Sequence, residues 1–503
     1  MPAKRSLTLA LALLLVAAIP ARATGFPTIT VIETSSGTAS FNPYNFTAFD
    51  GYIYFSADDG TSGRELWRSN GTTLGTTRVA DINDGSGSSY PEELTVFDDH
   101  LYFSASESCE EGCDTELWRT DGTELGTTRV ADIGIGTNGS DPSEFTVFDG
   151  HLYFSADNGD DGDELWRTDG TGAGTTMVKD INEDADYDSD PDGFTAFDGY
   201  LYFSADNGDD GYELWRTDGT EAGTTMVKEI NSEDNGGSDP YNFTAFDGYL
   251  YFGADDGADG TELWRTDGTT LGTTRVDDIN SGAGGSSDPD YFTAFDGYLY
   301  FQADDGINGT ELWRTDGTEL GTTQVKDIDP NAGGSSYPYY FTAFDGYLYF
   351  GADDGTNGDE LWRTDGTTLG TTRVEDINTN VGGSSDPYNF IVLGDYLYFN
   401  ATDGTNFNPR RIDGSGLTES AVIPGTNANT NCECEPFAAL GGRLYMRIES
   451  VETGAEIAYL DEPTFGLPPT NRDGSVWSTA LVLLAAVTAA AGLTVRMREV
   501  KRA

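Results

Sequence analysis

The chain is 503 residues long and carries 27 Lys plus Arg against 86 Asp plus Glu, a formal net charge of −59. So acidic a surface repels nucleic acid and anionic lipid headgroups, draws cations and tolerates high salt, which excludes nucleic-acid binding as a function. Hydrophobic residues still make up 37% and aromatics 12%, enough for a core, so this is not a disordered acidic tail.

In chain order, Lys4 and Arg5, an apolar run from Leu7 to Ile19 and the small-x-small sequence Ala21-Arg22-Ala23 predict a secretory signal peptide over residues 1–23. Residues 28–32, Thr-Ile-Thr-Val-Ile, read as a lone strand. Then the octapeptide Glu-Leu-Trp-Arg-Thr-Asp-Gly-Thr, or a near copy, occurs seven times, its tryptophans at Trp67, Trp118, Trp166, Trp215, Trp264, Trp313 and Trp362, spaced 48 to 51 residues apart. Such a period marks one supersecondary unit repeated, each unit needing a neighbour to bury its apolar face.

The unit over residues 291–328 shows the internal plan. Strand A ends at Phe295 and strand B starts at Tyr298, joined by Asp296-Gly297, a strong short hairpin signal. A loop over residues 304–309 leads to strand C around Trp313, and strand D follows over residues 322–328. Four short antiparallel strands per period predict a propeller blade, and the Gly-, Ser- and Pro-rich residues 329–339 suit the step to the next one.

An eighth unit survives in residues 395–399 and 408–413, with Arg411 expected at the tryptophan position. A ninth, in residues 440–445 and 456–459, lacks a fourth strand. The lone strand at 28–32 fits that vacancy, so the expectation is an all-β propeller of eight to nine four-stranded blades over residues 28–461, closed by its own N-terminus; an open array with capped ends is the alternative. A linker (462–475) leads to residues 476–495, an uncharged span of 20 residues long enough to cross a bilayer, and a basic tail (496–503) whose charge places it in the cytoplasm and the repeats outside.

Four cysteines form two close pairs. Cys109 and Cys113, in a B-to-C loop, suggest a disulfide staple in an exported chain, while the pairing of Cys432 and Cys434 stays open. His100 and His151 both stand where other repeats have Tyr at the start of strand B, so they read as packed strand residues, and a histidine-based triad or zinc site is not expected. No catalytic set is assigned. The Asp residues of Asp-Gly and Thr-Asp-Gly-Thr are turn formers, and the tryptophans read as blade-to-blade packing rather than sugar platforms. Loop tyrosines Tyr44, Tyr241, Tyr291 and Tyr339 should lie at a rim. In the B-to-C loops Asp255, Asp256, Asp304, Asp305, Asp353 and Asp354, near Glu311 and the loop bearing Asp288, offer the oxygen-rich, glycine-bounded setting that suits calcium; solvated Asx turns are the other reading.

The phrase Glu-Leu-Trp-Arg-Thr-Asp-Gly-Thr, then Gly-Thr-Thr-x-Val-x-Asp-Ile and Phe-Asp-Gly-Tyr-Leu-Tyr-Phe, resembles the ELWxxDGT repeat proteins, strongly over residues 44–378 and weakly to Asp461. The resemblance implies an exported bacterial β-propeller and carries no shared catalytic residues. Leu467-Pro-Pro-Thr470-Asn471 before the apolar span resembles a sortase sorting signal, with Asn in place of the usual Gly; if used, Thr470 becomes the cell-wall attachment point, and otherwise the span stays as a membrane anchor. The expected function is a monomeric cell-surface binding or adhesion module whose acidic loop face meets a cation, a glycan or a protein ligand. An extracellular polysaccharide hydrolase or lyase, with Glu433 and Glu435 as the first carboxylates to inspect, and a passive envelope protein are the alternatives.

Overall fold

The computed structural model describes residues 29–32, 40–108, 114–134, 139–183, 187–232, 236–405, 407–413, 418–419, 438–450 and 454–461. The expected signal peptide (1–23), linker (462–475), apolar span (476–495) and basic tail (496–503) lie outside them, as do Cys109, Cys113, Cys432, Glu433, Cys434, Glu435 and Thr470. Among the described residues no helix is long and apolar enough to cross a membrane.

Blade 6 shows why each repeat folds as it does. Its strands A (Asp290–Phe295), B (Tyr298–Asp304), C (Thr310–Thr315) and D (Thr323–Lys326) pair antiparallel in that order. The A–B turn needs two left-handed residues, and Asp296 (φ 45°) and Gly297 (φ 82°) supply them. Strand B does not alternate in burial: Leu299, Tyr300 and Phe301 are all buried, because a neighbouring blade covers each face of the sheet. Between C and D, the Asp316 carboxylate accepts from the Thr318 amide and hydroxyl, and the Thr318 hydroxyl caps a short 3-10 turn by accepting from Gly321. The Thr-Asp-Gly-Thr aspartates are therefore structural, as the sequence predicts.

Nine four-stranded sheets are present, and nine apolar clusters join them, one at each blade interface. Each of the seven repeat tryptophans belongs to such an interface: Trp313 of blade 6 packs on Tyr251, Leu263 and Val276 of blade 5. A polar clamp repeats beside it. The Arg265 guanidinium stacks on Tyr249 and donates to the Gly317 carbonyl of the next blade at 2.6 Å, and the Tyr251 hydroxyl closes on the same glycine.

Ring closure follows the N-terminal route. Blade 9 has strands A (Ala438–Leu440), B (Arg443–Ser450) and C (Gly454–Asp461), and Ile29–Ile32 adds antiparallel as its strand D, with Ile29 opposite Leu460 and Ile32 opposite Ile457. Blade 9 then packs on Phe41, Ile53 and Phe55 of blade 1, and Arg443 with Tyr445 clamps Gly71 as the other blades clamp their neighbours. Closure leaves no open sheet edge between the chain ends, which decides against the open array.

One expectation is corrected in blade 8. Phe399 pairs with Arg410 and Tyr398 with Arg411, whereas Phe55 pairs with Trp67 and Tyr54 with Arg68. Arg410 therefore fills the tryptophan position, 6% exposed, and Arg411 takes the stacking arginine's place over Tyr396.

Candidate functional site

Strand direction alternates within a blade, so the D-to-A loops, the B-to-C loops and the first residues of strand A share one face of the disc, around one mouth of the central channel. What fixes that face is the first glutamate of each Glu-Leu-Trp-Arg motif. Glu311 is fully buried; its carboxylate accepts from the Ile328 amide (2.7 Å), the Asp329 amide (3.2 Å) and the Ser336 hydroxyl (2.6 Å) of the D-to-A loop. Burial pushes its pKa up to about 7, against the lowering effect of those bonds. The same arrangement recurs at Glu65, Glu116, Glu164, Glu213, Glu262 and Glu360. Glu311 is thus an internal strut, a correction to its expected place in an open calcium-binding cluster.

Ser336 also bridges two blades, its amide donating to the Thr310 carbonyl of blade 6 and its carbonyl accepting from the Asp353 amide of blade 7. The residue after this serine precedes a proline and is left-handed in each case, with φ between 41° and 49° at Tyr90, Asp141, Asp190, Asp239, Asp288, Tyr337 and Asp386. Two or three residues on, strand A carries a bulge whose second residue is again left-handed, at Asn45, Glu93, Glu144, Gly193, Asn242, Tyr291, Tyr340 and Asn389. Left-handed Glu and Tyr are costly and persist only where surrounding structure holds them, which is common at binding sites.

The repeats differ from one another in a patterned way. Within strands A, B and C of blades 1 to 7, the chemistry changes at the first two residues of A, the first, fifth and last of B and the first of C; elsewhere the exchanges are like for like. Five of these six positions lie at this mouth; the start of B, Tyr in five of these blades and His in blades 2 and 3, lies at the other. Opposite residues adjust to each other: Tyr241 and Tyr339 lie where any side chain on Gly253 or Gly351 would collide with the ring, while Asp290 faces Gln302. The opposite mouth, with its Asp-Gly turns and Arg-on-Tyr stacks, varies less, with Asp98-Asp99 in place of Asp-Gly and His100 and His151 in place of Tyr.

The mouth is uneven around the ring. Blades 2 to 4 present Glu92, Glu93, Glu144 and Asp192, and the Glu144 carboxyl, pushed up by burial and by Asp192 and Glu93, hydrogen-bonds Asp192. Blades 5 to 8 present Tyr241, Asn242, Tyr291, Tyr339, Tyr340 and Asn389. Tyr291 and Tyr340, 36% and 48% exposed, meet edge to face with ring centres 5.7 Å apart. Of the tyrosines predicted for the rim, Tyr291 is exposed, Tyr44 lies under the Arg64 guanidinium, and Tyr241 and Tyr339 fold inward. Tyr340 was not singled out in the sequence, although its blade-to-blade variation was the available signal.

The calcium candidates sit in Asx turns. Asp255, Asp304 and Asp353 accept from the amides of Gly257, Gly306 and Gly355; Asp256, Asp305 and Asp354 each accept from two amides of the following loop. Arg275 and Arg373 reach Asp256 (3.5 Å) and Asp354 (3.6 Å). Carboxylate oxygens converge instead at Asp163, Asp188 and Asp190, and at Asp114, Glu116 and Asp132, where Arg129 pairs with both aspartates. His100 and His151 lie at the opposite mouth, each with Nδ1 3.0 to 3.3 Å from the carbonyl of Asp98 or Asp149.

No protein-family model matches the chain, and no curated protein matches it. Among solved structures it is similar to a prolyl endopeptidase (15% identity over 72% of this chain and 54% of that one, TM-score 0.40). It is also similar to a puromycin hydrolase (13%, 73% and 59%, TM-score 0.36) and to prolyl oligopeptidase B from Galerina marginata (15%, 73% and 57%, TM-score 0.37). The chain spans less than two thirds of the length of each. Likenesses this distant carry no information about reaction or ligand.

Proposed function

We propose that the chain is a binding or adhesion module held at the cell surface, whose ligand, a glycan or a cationic partner, seats at the variable mouth of the channel. The observation that carries this reading is the distribution of differences among near-identical repeats: strands A to C vary in chemistry at six positions, and five of the six surround one mouth. The glutamate struts and serine bridges below the mouth support it further, since a rigid, preorganised rim loses little entropy on binding. The signal-like N-terminus and the apolar span at residues 476–495 support export and anchoring by a retained helix or through Thr470. Calcium belongs to this proposal as a co-ligand of the acidic loops.

A hydrolase or lyase reading has one observation in its favour, a repeat-breaking carboxylate pair, Glu144 and Asp192, in which burial and the Asp192 charge push the Glu144 carboxyl up. Direct hydrogen bonding holds those carboxyls closer than the roughly 5 Å or more that glycoside hydrolysis needs, so binding is the better reading.

The test presents full-length chain to glycan and basic-peptide arrays with and without calcium. Binding should weaken about tenfold in Tyr340→Ala or Glu144→Ala, a loss of about 1.4 kcal/mol, and stay unchanged in His151→Tyr at the opposite mouth. Binding to neither array, or binding that tracks the opposite mouth, would sink the reading.

A further inference from the structure

Blades 1 and 7 start from the same rim residue and differ in what faces it. In blade 1 the first residue of strand C is Arg64, whose guanidinium carbon lies 4.4 Å from the centre of the Tyr44 ring while Nη1 donates to the Asn42 carbonyl at 3.0 Å. In blade 7 the positions matching Tyr44, Arg64 and Asn42 are Tyr339, Asp359 and Tyr337, and Asp386 stands where blade 1 has Tyr90. The aromatic ring is kept, and the chain's own cation is replaced by a carboxylate, with a second carboxylate, Asp386, in place of Tyr90. The Asp386 amide donates to the Asp359 carbonyl at 3.3 Å and Asp353 pairs with Asp359 across the ladder, and burial together with Asp359 and Asp386 pushes the Tyr339 hydroxyl up, so these groups lie close together. Among the described residues neither Asp359 nor Asp386 has an ion-pair partner. Tyr340 stands against Tyr339 with ring centres 5.2 Å apart and carries the exposed aromatic surface on to Tyr291.

The molecule also shows which cation suits its tyrosines. Guanidinium carbons lie 4.1 to 4.5 Å from tyrosine ring centres at Arg68, Arg216, Arg265, Arg314, Arg363, Arg411 and Arg443, whereas among the described residues Lys228 and Lys326 stack on tryptophan, at 5.1 and 5.4 Å. A planar guanidinium can stack and pair with carboxylates at the same time, which an ammonium does less well.

We propose that the corner of blade 7 receives an arginine side chain from a partner protein, its guanidinium taking the place that Arg64 fills in blade 1, against the rim tyrosines and between Asp359 and Asp386. This rests on the reading of the mouth as the binding surface and names the partner's chemistry. Blade 1 is a self-filled version of the site; blade 7 is the open one.

The experiment measures fluorescence anisotropy of the full-length chain with a labelled glycine-rich peptide carrying several arginines, and with its lysine and citrulline analogues. The arginine peptide should bind at least about fivefold tighter than the lysine peptide of equal charge, and the citrulline peptide should not bind. Asp359→Arg rebuilds the blade 1 arrangement and should weaken the arginine peptide by about tenfold or more at unchanged melting temperature, while Glu319→Arg, the same charge change in an exposed turn at the opposite mouth, should cost less than about twofold. Tyr340→Ala is the second variant should Asp359→Arg fold poorly, with the same loss expected. Equal binding of the lysine peptide, or equal effects of Asp359→Arg and Glu319→Arg, overturns the proposal. If amino-sugar oligomers bind at the mouth and arginine peptides do not, the proposal falls while the mouth remains a binding surface; if neither binds, both fall.

Discussion

Replacing Glu311 with alanine leaves two backbone amides, Ile328 and Asp329, without acceptors in a space closed to water, and takes one of two acceptors from the Ser336 hydroxyl, which also reaches the Thr310 carbonyl at 3.4 Å. A buried unsatisfied donor costs about 1–3 kcal/mol, so the alanine variant should lose about 2–6 kcal/mol. Glutamine keeps the shape, and it removes the proton. The Glu311 carboxyl has a pKa of about 7 in the folded chain against an ordinary value of 4.5, so the folded state takes up its proton first. Stability from this group is therefore gained as pH falls through about 7, is fully present below about 4.5, and is lost as pH rises through 7. Between pH 8 and pH 5.5 the wild-type chain should gain about 2 kcal/mol over Glu311→Gln. Urea unfolding followed by tryptophan fluorescence at the two pH values measures both effects. An alanine variant within about 1 kcal/mol of wild type at pH 8, or a glutamine variant with undiminished pH dependence, would refute the reasoning.

Three further outcomes are expected. Gly317→Ala meets the Tyr251 hydroxyl and the Arg265 guanidinium at φ 90°, a conformation that disfavours any side chain, so it should cost at least about 2 kcal/mol in unfolding measurements. Arg410→Trp restores the repeat's own residue at a site that is 6% exposed, where burial pushes the guanidinium's pKa down, and should stabilise by about 1–3 kcal/mol in the same assay; a loss would show the buried arginine to be better paired than its geometry implies. Deleting residues 29–32 bares strand C of blade 9 along its edge, and sedimentation should then detect concentration-dependent association that the intact chain lacks.

Fold was legible because three signals agreed: the period, the Asp-Gly hairpins, and an unpaired strand at one end matching a vacancy at the other. Arg411 was misplaced because counting from neighbouring motifs ignores ladder register, and strand C of blade 8 runs one residue longer, Phe407–Asp413, than the six-residue strand of blade 6. Repetition hid the role of Glu311: a glutamate recurring in every blade near exposed aspartates reads as part of their cluster, and only the three donors converging on it show that it points inward. The mouth, by contrast, was written in the sequence as the places where the copies disagree. What recurs marks the Asx turns at Asp305 and Asp354; what varies marks the rim at Glu144 and Tyr340.

Ile29 lies opposite Leu460, so the described chain enters and leaves the ring on adjacent strands of one blade, at the face away from the variable mouth. A pull applied at Asp461 against a ligand held at that mouth runs along a strand flanked on both sides, by Arg443–Ser450 and by Ile29–Ile32. Hydrogen bonds on both flanks then carry the load side by side, in shear, and must break together instead of peeling in turn. The seam that closes the circle is thus also the part of the disc built to withstand tension.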